Sequence, residues 1–306
     1  MRASAALAIA YAIDIAFGEP PNVVHPVAWM GAVIGRAKVW ALRGTKVGQL
    51  ARGAAIAIVL PTAFAACAVA VLRQARGHAV LELALTVVLL KPMFAASSLR
   101  DAAFLVRDAL DAGDLESARR ALGSLCSRKA DALDAEELVA ATIESVAENT
   151  SDSVVAPLLF FVCGGVPAAV FYRCVNTLDA MIGCRGRLEY AGKASARLDD
   201  LLNLIPARIT ALLLLLAGAL AGQSARGGVR VLLRDARRTE SPNAGWPMAT
   251  MAGLLGVRLV KVDHYALGDA DRPLATAQIT AAWRVTSLAS TLAVGLIILA
   301  LECLHA

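Results

Sequence analysis

The hydrophobic pattern of the chain is dominated by long apolar runs that carry no charge. Gly53–Leu72 holds 20 residues, Val154–Tyr172 holds 19, and Ile209–Ala225 and Val285–Leu301 hold 17 each. A helix formed by an uncharged run of this length is long enough to cross the hydrocarbon core of a bilayer. The pattern therefore predicts several membrane-embedded helices in one polytopic protein.

Two weaker runs raise the predicted number of embedded segments. Ala3–Phe17 contains Asp14, and Ala79–Phe94 contains Glu82 and Lys91. No stretch of useful length alternates apolar and polar residues, as a half-buried strand would. The fold class predicted is all-α: a polytopic integral membrane helical protein with four to six embedded segments and no β-sheet of consequence.

The region from 95 to 150 is more polar than the rest and has helical periodicity. Apolar residues recur there at spacings of three and four, which places them on one face of a helix. They include Leu99, Ala103, Val106 and Leu110. We predict amphipathic cytoplasmic helices here, as the more polar part of a single membrane-embedded helical domain that covers 1–306.

One apolar run is interrupted by Gly164-Gly165-Val166-Pro167. Paired glycines and a proline at membrane depth are typical of a broken helix or a re-entrant hairpin, which is tolerated where protein or a cavity surrounds the backbone. A plain kinked span explains the same residues. The sequence leaves both interpretations open.

Composition supports a membrane protein and argues against nucleic-acid binding. Of 306 residues, 58% are hydrophobic and 18% are charged, whereas about a quarter of a soluble domain is charged. The net charge of +5 fits basic residues that anchor cytoplasmic segments. Aromatic residues make up 5%, too few to suggest stacking platforms for single strands.

The six cysteines form no Cys-x-x-Cys pair, and the chain has no Walker or Gly-x-Gly-x-x-Gly motif.

The most concentrated polar motif lies within Ala147–Pro157, directly before an apolar run. Glu144, Glu148 and Asp152 are spaced i, i+4, i+8, so a continuous helix would place all three carboxylates on one face. Their mutual repulsion is unfavourable unless a cation offsets it. Two bland alternatives are a solvated acidic helix end and an Asp152 that only caps a helix beginning at Ser153.

A second polar group follows the first apolar run, where Asp14, Glu19 and His25 lie close together in sequence. An ionisable group inside or beside a membrane helix is a functional candidate. For His25, a loop histidine without a role is the simpler interpretation. For Asp14, function and no function are equally well supported.

A third group flanks the interrupted run on its C-terminal side. On a helix, Arg173 and Asn176 share a face with Asp179 beside them. Further along, Asp199 is followed directly by Asp200, and a basic neighbour such as Arg197 can pair with either or reach a phosphate. A solvated helix face is the alternative for both segments.

Five motifs in order resemble the adenosylcobinamide-phosphate synthase family of cobalamin biosynthesis. They are Asp14…Gly18-Glu-Pro…His25-Pro, Glu148-Asn-Thr-Ser-Asp, Tyr172-Arg-x-Val-Asn-Thr-Leu-Asp, Ser195-Ala-Arg-Leu-Asp-Asp…Ile205-Pro-Ala-Arg and Ser241-Pro-Asn-Ala-Gly-Trp-Pro. The match covers nearly the whole chain. Ser153 is a departure, because the family pattern has glycine there, and it puts the local backbone geometry in question.

The resemblance implies an ATP-dependent amide ligase in the cell (inner) membrane, multi-pass, with its active site facing the cytoplasm. It would join adenosylcobyric acid to (R)-1-amino-2-propanol or its O-phosphate, giving adenosylcobinamide (phosphate), with ATP and Mg²⁺. Its partners would be the corrinoid, the aminopropanol, the lipid bilayer and other corrinoid-assembly membrane enzymes, with no nucleic acid.

We predict three sets of site residues. The catalytic set is Asp14, His25, Asn149, Asp152, Asn176, Asp179, Asp199 and Asp200. The nucleotide-binding set is Arg173, Lys193, Arg197, Arg208, Ser241 and Asn243. The metal-binding set is Glu148, Asp152 and Asp179, with Asp199 as an alternate. Glu and Asp oxygens suit Mg²⁺, and Arg or Lys balances phosphate charge.

We further predict that the polar residues converge around one cavity on the cytoplasmic face. The residues concerned are Asp14, Glu19, His25, Asn149, Asp152, Asn176, Asp179, Arg197, Asp199, Asp200 and Asn243. Lysines and arginines are spread over four interhelical segments, so the positive-inside rule does not fix the topology.

The rival interpretation is a membrane transporter or sensor with a polar intramembrane site, because broken apolar helices with buried acids are also transporter features. Against it, the two halves of the chain show no internal repeat. A third possibility is a related membrane protein linked to β-lactamase regulation, which would share only fragments of the five motifs.

Overall fold

The computed structural model describes residues 2–126, 130–184 and 186–305, and almost all of this part is helical. The α-helices are α1 (Arg2–Phe17), α2 (Pro26–Ala41), α3 (Lys46–Gln74), α4 (Ala79–Leu90), α5 (Ala96–Asp111), α6 (Leu115–Leu122), α7 (Ala135–Thr150), α8 (Ala156–Ile182), α9 (Glu189–Leu202), α10 (Leu204–Leu220), α11 (Ala225–Asp235), α12 (Gly245–Leu255) and α13 (Thr276–His305). Three short 3₁₀ turns and one π-helical turn, Ser151–Val155, complete the helical structure.

The predicted all-α membrane architecture is confirmed. Four helical stretches are long and apolar enough to cross a membrane, and a fifth is reached if the adjoining α9 and α10 are counted as one span. The four are Lys46–Gln74, Ala79–Asp111, Ala135–Ile182 and Thr276–Cys303. Strands β1 (Leu259–Lys261) and β2 (Tyr265–Leu267) form a two-stranded antiparallel ribbon. No sheet lies in the described parts of 95–150 and 173–203.

The chain divides into two compact units, each built from separate segments. The first comprises 1–95, 156–203 and 294–306, and the second comprises 96–155 and 204–293. The second unit contains the polar helices predicted for 95–150, namely α5, α6 and α7. The single domain over 1–306 stays a prediction.

In the first unit, α3 packs against α8 and α9 through small residues. A Cβ on Gly53 would overlap the carbonyl of Ala191, and a Cβ on Gly192 would overlap the carbonyl of Ile182. Only glycine permits this close backbone approach. These contacts hold α9 against the end of α8, which places the polar side chains of both helices next to each other.

Helix α8 is interrupted where the sequence predicted it. The backbone of Gly164 has φ −153° and ψ 22°, and Gly165 has φ 67° and ψ −161°. Both conformations lie outside the helical region, and the second is accessible almost only to glycine. The helix then resumes and continues to Ile182, so the chain is kinked at the paired glycines, as the kinked-span interpretation expects.

In the second unit, α7 is buried over residues 138–147, and its N-terminus is closed by a capping box. Asp134 accepts from the N–H of Glu137, and the Glu137 carboxylate accepts from the N–H of Asp134. At its C-terminal end α7 passes directly into the π-helical turn. Asp152 lies inside this turn and does not begin a helix, so the interpretation of Asp152 as an N-cap is wrong.

Candidate active site

The first unit contains a buried ionic group around a single lysine, which we call the Lys91 cluster: Asp14, Glu19, His25 and Lys91. The Lys91 Nζ lies 3.2 Å from Asp14 Oδ1 and 2.8 Å from Glu19 Oε2. Asp14 is fully buried on α1, and Lys91 is buried in the turn after α4. The helices α1 and α4 pack against each other, so this ion pair joins two apolar elements at one point.

His25 completes the Lys91 cluster and also begins α2. Its Nδ1 accepts a hydrogen bond of 3.2 Å from the N–H of Val27, as an N-cap does. The neutral ring then carries its proton on Nε2, which lies 2.8 Å from Glu19 Oε2. Burial alone raises the pKa of Glu19, but hydrogen bonds from His25 and Lys91 outweigh it and hold this pKa below its ordinary value. His25 is therefore a structured residue, not an idle loop histidine.

A second polar group lies between α8 and α9, and we call it the α8–α9 cluster: Asn176, Asp179, Asp199, Asp200 and Asn203. Asp199 is buried and accepts two side-chain hydrogen bonds. The Nδ2 of Asn203 donates to Oδ2 over 2.9 Å, and the Nδ2 of Asn176 donates to Oδ1 over 3.3 Å. Two amides thus fix the orientation of one buried carboxylate.

Three carboxylates meet in the α8–α9 cluster. Asp179 and Asp200 are both close enough to Asp199 to repel it electrostatically. Asp179 lies at the end of α8, where a Cβ on Gly183 would overlap its carboxylate. Arg197 Nη1 lies 3.9 Å from Asp200 Oδ2, but the Arg197 side chain is 77% exposed. The Arg197–Asp200 pair is therefore weak, since exposed pairs contribute little.

The α8–α9 cluster is extended by Tyr172, whose hydroxyl donates to Asn203 Oδ1 over 2.8 Å. Tyr172 is fully buried, and its ring stacks on Phe160 with centroids 4.9 Å apart. This contact leaves the Asn203 amide nitrogen directed at Asp199. The chain of hydrogen bonds therefore runs from a packed aromatic ring to the buried carboxylate.

The basic residues predicted to bind phosphate differ in burial and in their distance from the α8–α9 cluster. Arg173 is half-buried, with Nη1 3.5 Å from Asn176 Oδ1. Lys193 and Arg197 are exposed on α9. The structure therefore brings Arg173 to the α8–α9 cluster, whereas Lys193 is a surface residue of the same helix that supplies Asp199.

In the second unit, the predicted acidic residues lie where α7 becomes the π-helical turn. Glu148 and Asp152 are half-buried there. Asn149 donates to the Ser145 carbonyl over 2.9 Å and accepts from the Ser153 hydroxyl over 3.0 Å. Ser153 has helical backbone geometry, so the serine that replaces the expected glycine is compatible with the turn and supports Asn149.

The other predicted residues of the second unit gather around Arg208. Its Nη1 donates to Asn243 Oδ1 over 3.2 Å, and its guanidinium lies 4.5 Å from the ring centroid of Trp246. Asn243 is buried, and its N–H donates to the Ser241 hydroxyl over 3.2 Å. Arg208, Ser241 and Asn243 are thus brought together. Convergence of all the candidate residues on one cavity stays a prediction, because they are divided between the two units.

The α8–α9 cluster fits a divalent cation in the chemistry of its donors. Three neighbouring carboxylates match the oxygen ligands of Mg²⁺. In the described ranges, no three His, Cys, Asp or Glu side chains form a ready-made metal site. Any ion here would therefore keep several of its waters, as Mg²⁺ commonly does.

Lys91 and Asn203 belong to these clusters but were not among the predicted site residues. Lys91 carried a usable signal, since it is a lone lysine at the end of an apolar run and directly before Pro92. Asn203 follows Asp199 at i+4, which places the two side chains on one face of a helix. Trp246 lies within the fifth motif, Ser241-Pro-Asn-Ala-Gly-Trp-Pro, but was not among the predicted site residues.

Comparison with known proteins gives a consistent result. The family model described as CobD/Cbib protein matches residues 7–293. A cobalamin biosynthesis protein CobD of Dehalococcoides mccartyi is 45% identical over 87% of this chain and 87% of its own length. That of Geobacter metallireducens is 40% identical over 93% of this chain and 91% of its own. The probable cobalamin biosynthesis protein CobD of Methanothermobacter thermautotrophicus is 39% identical, covering 92% of each chain. No solved structure matches.

Proposed function

The chain belongs to the CobD/Cbib protein family, and from this premise we propose that it joins adenosylcobyric acid to (R)-1-amino-2-propanol or its O-phosphate through an ATP-dependent amide bond. Membership makes it an enzyme of cobalamin biosynthesis, with a corrinoid as substrate. The product would be adenosylcobinamide or its phosphate. The protein is a multi-pass membrane protein, and we assign it to the inner membrane with its active site on the cytoplasmic side.

The chemistry needs an activated carboxylate and a nearby proton acceptor. A carboxylate is a poor acyl donor because oxide is a poor leaving group. ATP, when bound, supplies a phosphoryl group that carries the departing oxygen away as phosphate while the amine nitrogen forms the new C–N bond. The protonated amine must lose its protons to a base, and a carboxylate within hydrogen-bond reach can accept one.

The observation that carries the proposal is the α8–α9 cluster with its three neighbouring carboxylates. Asp179 and Asp199 would hold Mg²⁺, with water completing its coordination. Asn176 and Asn203 orient Asp199, and Arg173 supplies positive charge beside them for phosphate oxygens. Glu148 and Asp152 stay predicted metal ligands in the second unit.

The Arg208–Asn243 pair supports a second part of the same proposal. A guanidinium stacked on an indole ring is held in a fixed plane, and Asn243 accepts from one of its nitrogens. A planar, fixed guanidinium is well suited to a phosphate or to a carboxylate of a corrinoid. The Ser241 hydroxyl accepts a hydrogen bond from the N–H of Asn243.

The test is amide formation by purified protein in detergent, with ATP, Mg²⁺, adenosylcobyric acid and either amine, the product being identified by mass spectrometry. We expect product only when ATP is present. Asp179→Asn is expected to abolish most of it, whereas Asp131→Asn, an exposed acid, serves as the matched control. A transporter would form no amide in detergent and would act only across a sealed vesicle, and that outcome would refute the ligase.

A further inference from the structure

The second unit contains a cavity of about 370 Å³ that none of the five sequence motifs lines. It is formed by the beginning of α11, the end of α12 and the segment after β2. Three arginines and one aspartate line it: Arg226, Arg230, Arg272 and Asp271. Its volume lies in the range of small-molecule sites, about 300–1,000 Å³.

The positive charge of this cavity is only partly neutralised. The Nη2 of Arg230 lies 3.0 Å from Asp269 Oδ2 and 3.6 Å from Asp271 Oδ2. Within the described part of the chain, Arg226 and Arg272 make no ion pair. Two exposed guanidinium groups therefore line the cavity without an ion-pair partner, while the Asp271 carboxylate contacts Arg230. An anion would supply a partner for Arg226 and Arg272.

The backbone around the cavity is closely packed. Cβ atoms on Gly227 and Gly253 would each overlap the carbonyl of the other residue, so α11 and α12 touch at this point. The N–H of Arg272 donates to the Gly256 carbonyl over 2.8 Å, which fixes the base of its side chain. The cavity also adjoins the N-terminus of α11, where the helix dipole adds positive potential.

We propose that this cavity binds the phosphate group of a small anion through Arg226 and Arg272. Guanidinium groups bind phosphate oxygens in a bidentate manner. Arg230 is paired with Asp269 and Asp271 and forms part of the cavity wall. A soluble phosphate and the headgroup of an anionic phospholipid share this chemistry. The proposal is independent of the amide-forming reaction.

The experiment uses the full chain in neutral detergent, with inorganic phosphate as the first probe and binding followed by ³¹P NMR. We expect the double variant Arg226→Ala/Arg272→Ala to bind phosphate at least about tenfold more weakly, because two charge-assisted contacts are lost. The matched control is Arg237→Ala, an exposed arginine of the same unit outside the cavity, which should change the affinity by less than about twofold.

The second probe separates the two sources of phosphate. Protein reconstituted in phosphatidylcholine vesicles, with or without phosphatidylglycerol, is examined by native mass spectrometry for retained lipid. Loss of phosphatidylglycerol retention in the double variant, without any binding of inorganic phosphate, assigns the site to a lipid headgroup. Loss of phosphate binding assigns it to a soluble anion.

Two results would overturn the proposal. One is binding of both probes that does not depend on Arg226 and Arg272. The other is an equal loss in Arg237→Ala, which would mean that general surface charge is responsible. Arg226→Lys/Arg272→Lys guards against misfolding, since it keeps both charges and removes the bidentate geometry. This double lysine variant should have the same melting temperature as the parent protein and bind phosphate with intermediate affinity.

Discussion

The Lys91 cluster and the α8–α9 cluster both bury carboxylates in the first unit, but they compensate the charge differently. In the former, one lysine lies within 3.2 Å of Asp14 and within 2.8 Å of Glu19. In the latter, the described hydrogen-bond donors to Asp199 are amides, while Asp179 and Asp200 repel it. A lysine thus compensates buried carboxylates in one place, and no described cation contacts Asp199 in the other.

This difference separates a structural role from a binding role. A buried carboxylate that is already paired with a lysine has little to gain from a further cation, whereas removal of the lysine leaves an uncompensated charge. Carboxylates that repel one another gain from a cation supplied from outside. The comparison predicts that mutations in the first cluster act mainly on stability and mutations in the second act mainly on turnover.

The largest effect is expected from Lys91→Met. This change leaves Asp14 fully buried without its cation, so the free energy of unfolding should fall by about 3–5 kcal/mol. Denaturant unfolding in detergent measures it. The double variant Asp14→Asn/Lys91→Met should recover part of the loss. A single variant as stable as the parent protein would mean that Asp14 has another source of compensation.

Asp199→Asn should produce the opposite result. Removing one of three repelling carboxylates should leave the melting temperature unchanged or raise it, while turnover falls about 100-fold because charge stabilisation of the transition state is lost. Steady-state amide synthesis and thermal unfolding are measured on the same preparation, with Asp131→Asn alongside. A stability loss that matches the activity loss would assign Asp199 to the fold instead.

Asp152→Asn extends the comparison to the second unit. Because Asp152 lies within a π-helical turn, the substitution removes a charge without removing a helix cap, and the fold should tolerate it. If Asp152 binds Mg²⁺, turnover falls by about 10–100-fold and the Mg²⁺ concentration for half-maximal rate rises. Unchanged Mg²⁺ dependence would remove Asp152 from the metal-binding set.

Tyr172→Phe should have a smaller effect. It deletes the 2.8 Å hydrogen bond to Asn203 Oδ1 and keeps the stacking on Phe160, so the free energy of unfolding should fall by about 1 kcal/mol. Turnover should fall less than in Asp199→Asn, because Asn203 keeps its contact with Asp199. Full stability in the variant would show that Asn203 finds another donor.

The smallest effect concerns the pH dependence of stability. The pKa of Glu19 is held below its ordinary value of 4.5, so the ionised form stabilises the folded state above that value. This contribution is lost as the pH falls through the lowered pKa. The difference in melting temperature between the parent protein and Glu19→Gln should therefore shrink on acidification. A constant difference would show that the Glu19 charge is not responsible.

The sequence predicted the helical membrane fold because uncharged runs and helical periodicity are local signals. The break at Gly164–Gly165 was also predictable, since few residues other than glycine adopt φ 67° with ψ −161°. The π-helical turn at Ser151–Val155 was not predictable, because it depends on how the helix packs and not on a residue preference. For that reason the N-cap interpretation of Asp152 was wrong.

The sequence predicted which residues belong to the candidate site better than it predicted which of them are in contact. Asp199 and Asp179 were identified from charged residues near apolar runs. Their separation in sequence gave no means of knowing that close packing of α9 at Gly192 would bring them together. Lys91 was overlooked as a partner of Asp14 because the pairing depends on the contact between α1 and α4.

The pairing of Asp14 with Lys91 constrains how the protein is made. Helix α1 leaves the ribosome before α4, so its aspartate then lacks Lys91, because α4 follows only after α2 and α3 have been synthesised. An unpaired aspartate is unfavourable in apolar surroundings, and α1 is shorter than the helices able to cross a membrane. Stable packing of α1 therefore depends on a helix translated later, and a nascent chain that ends before Lys91 should hold α1 poorly.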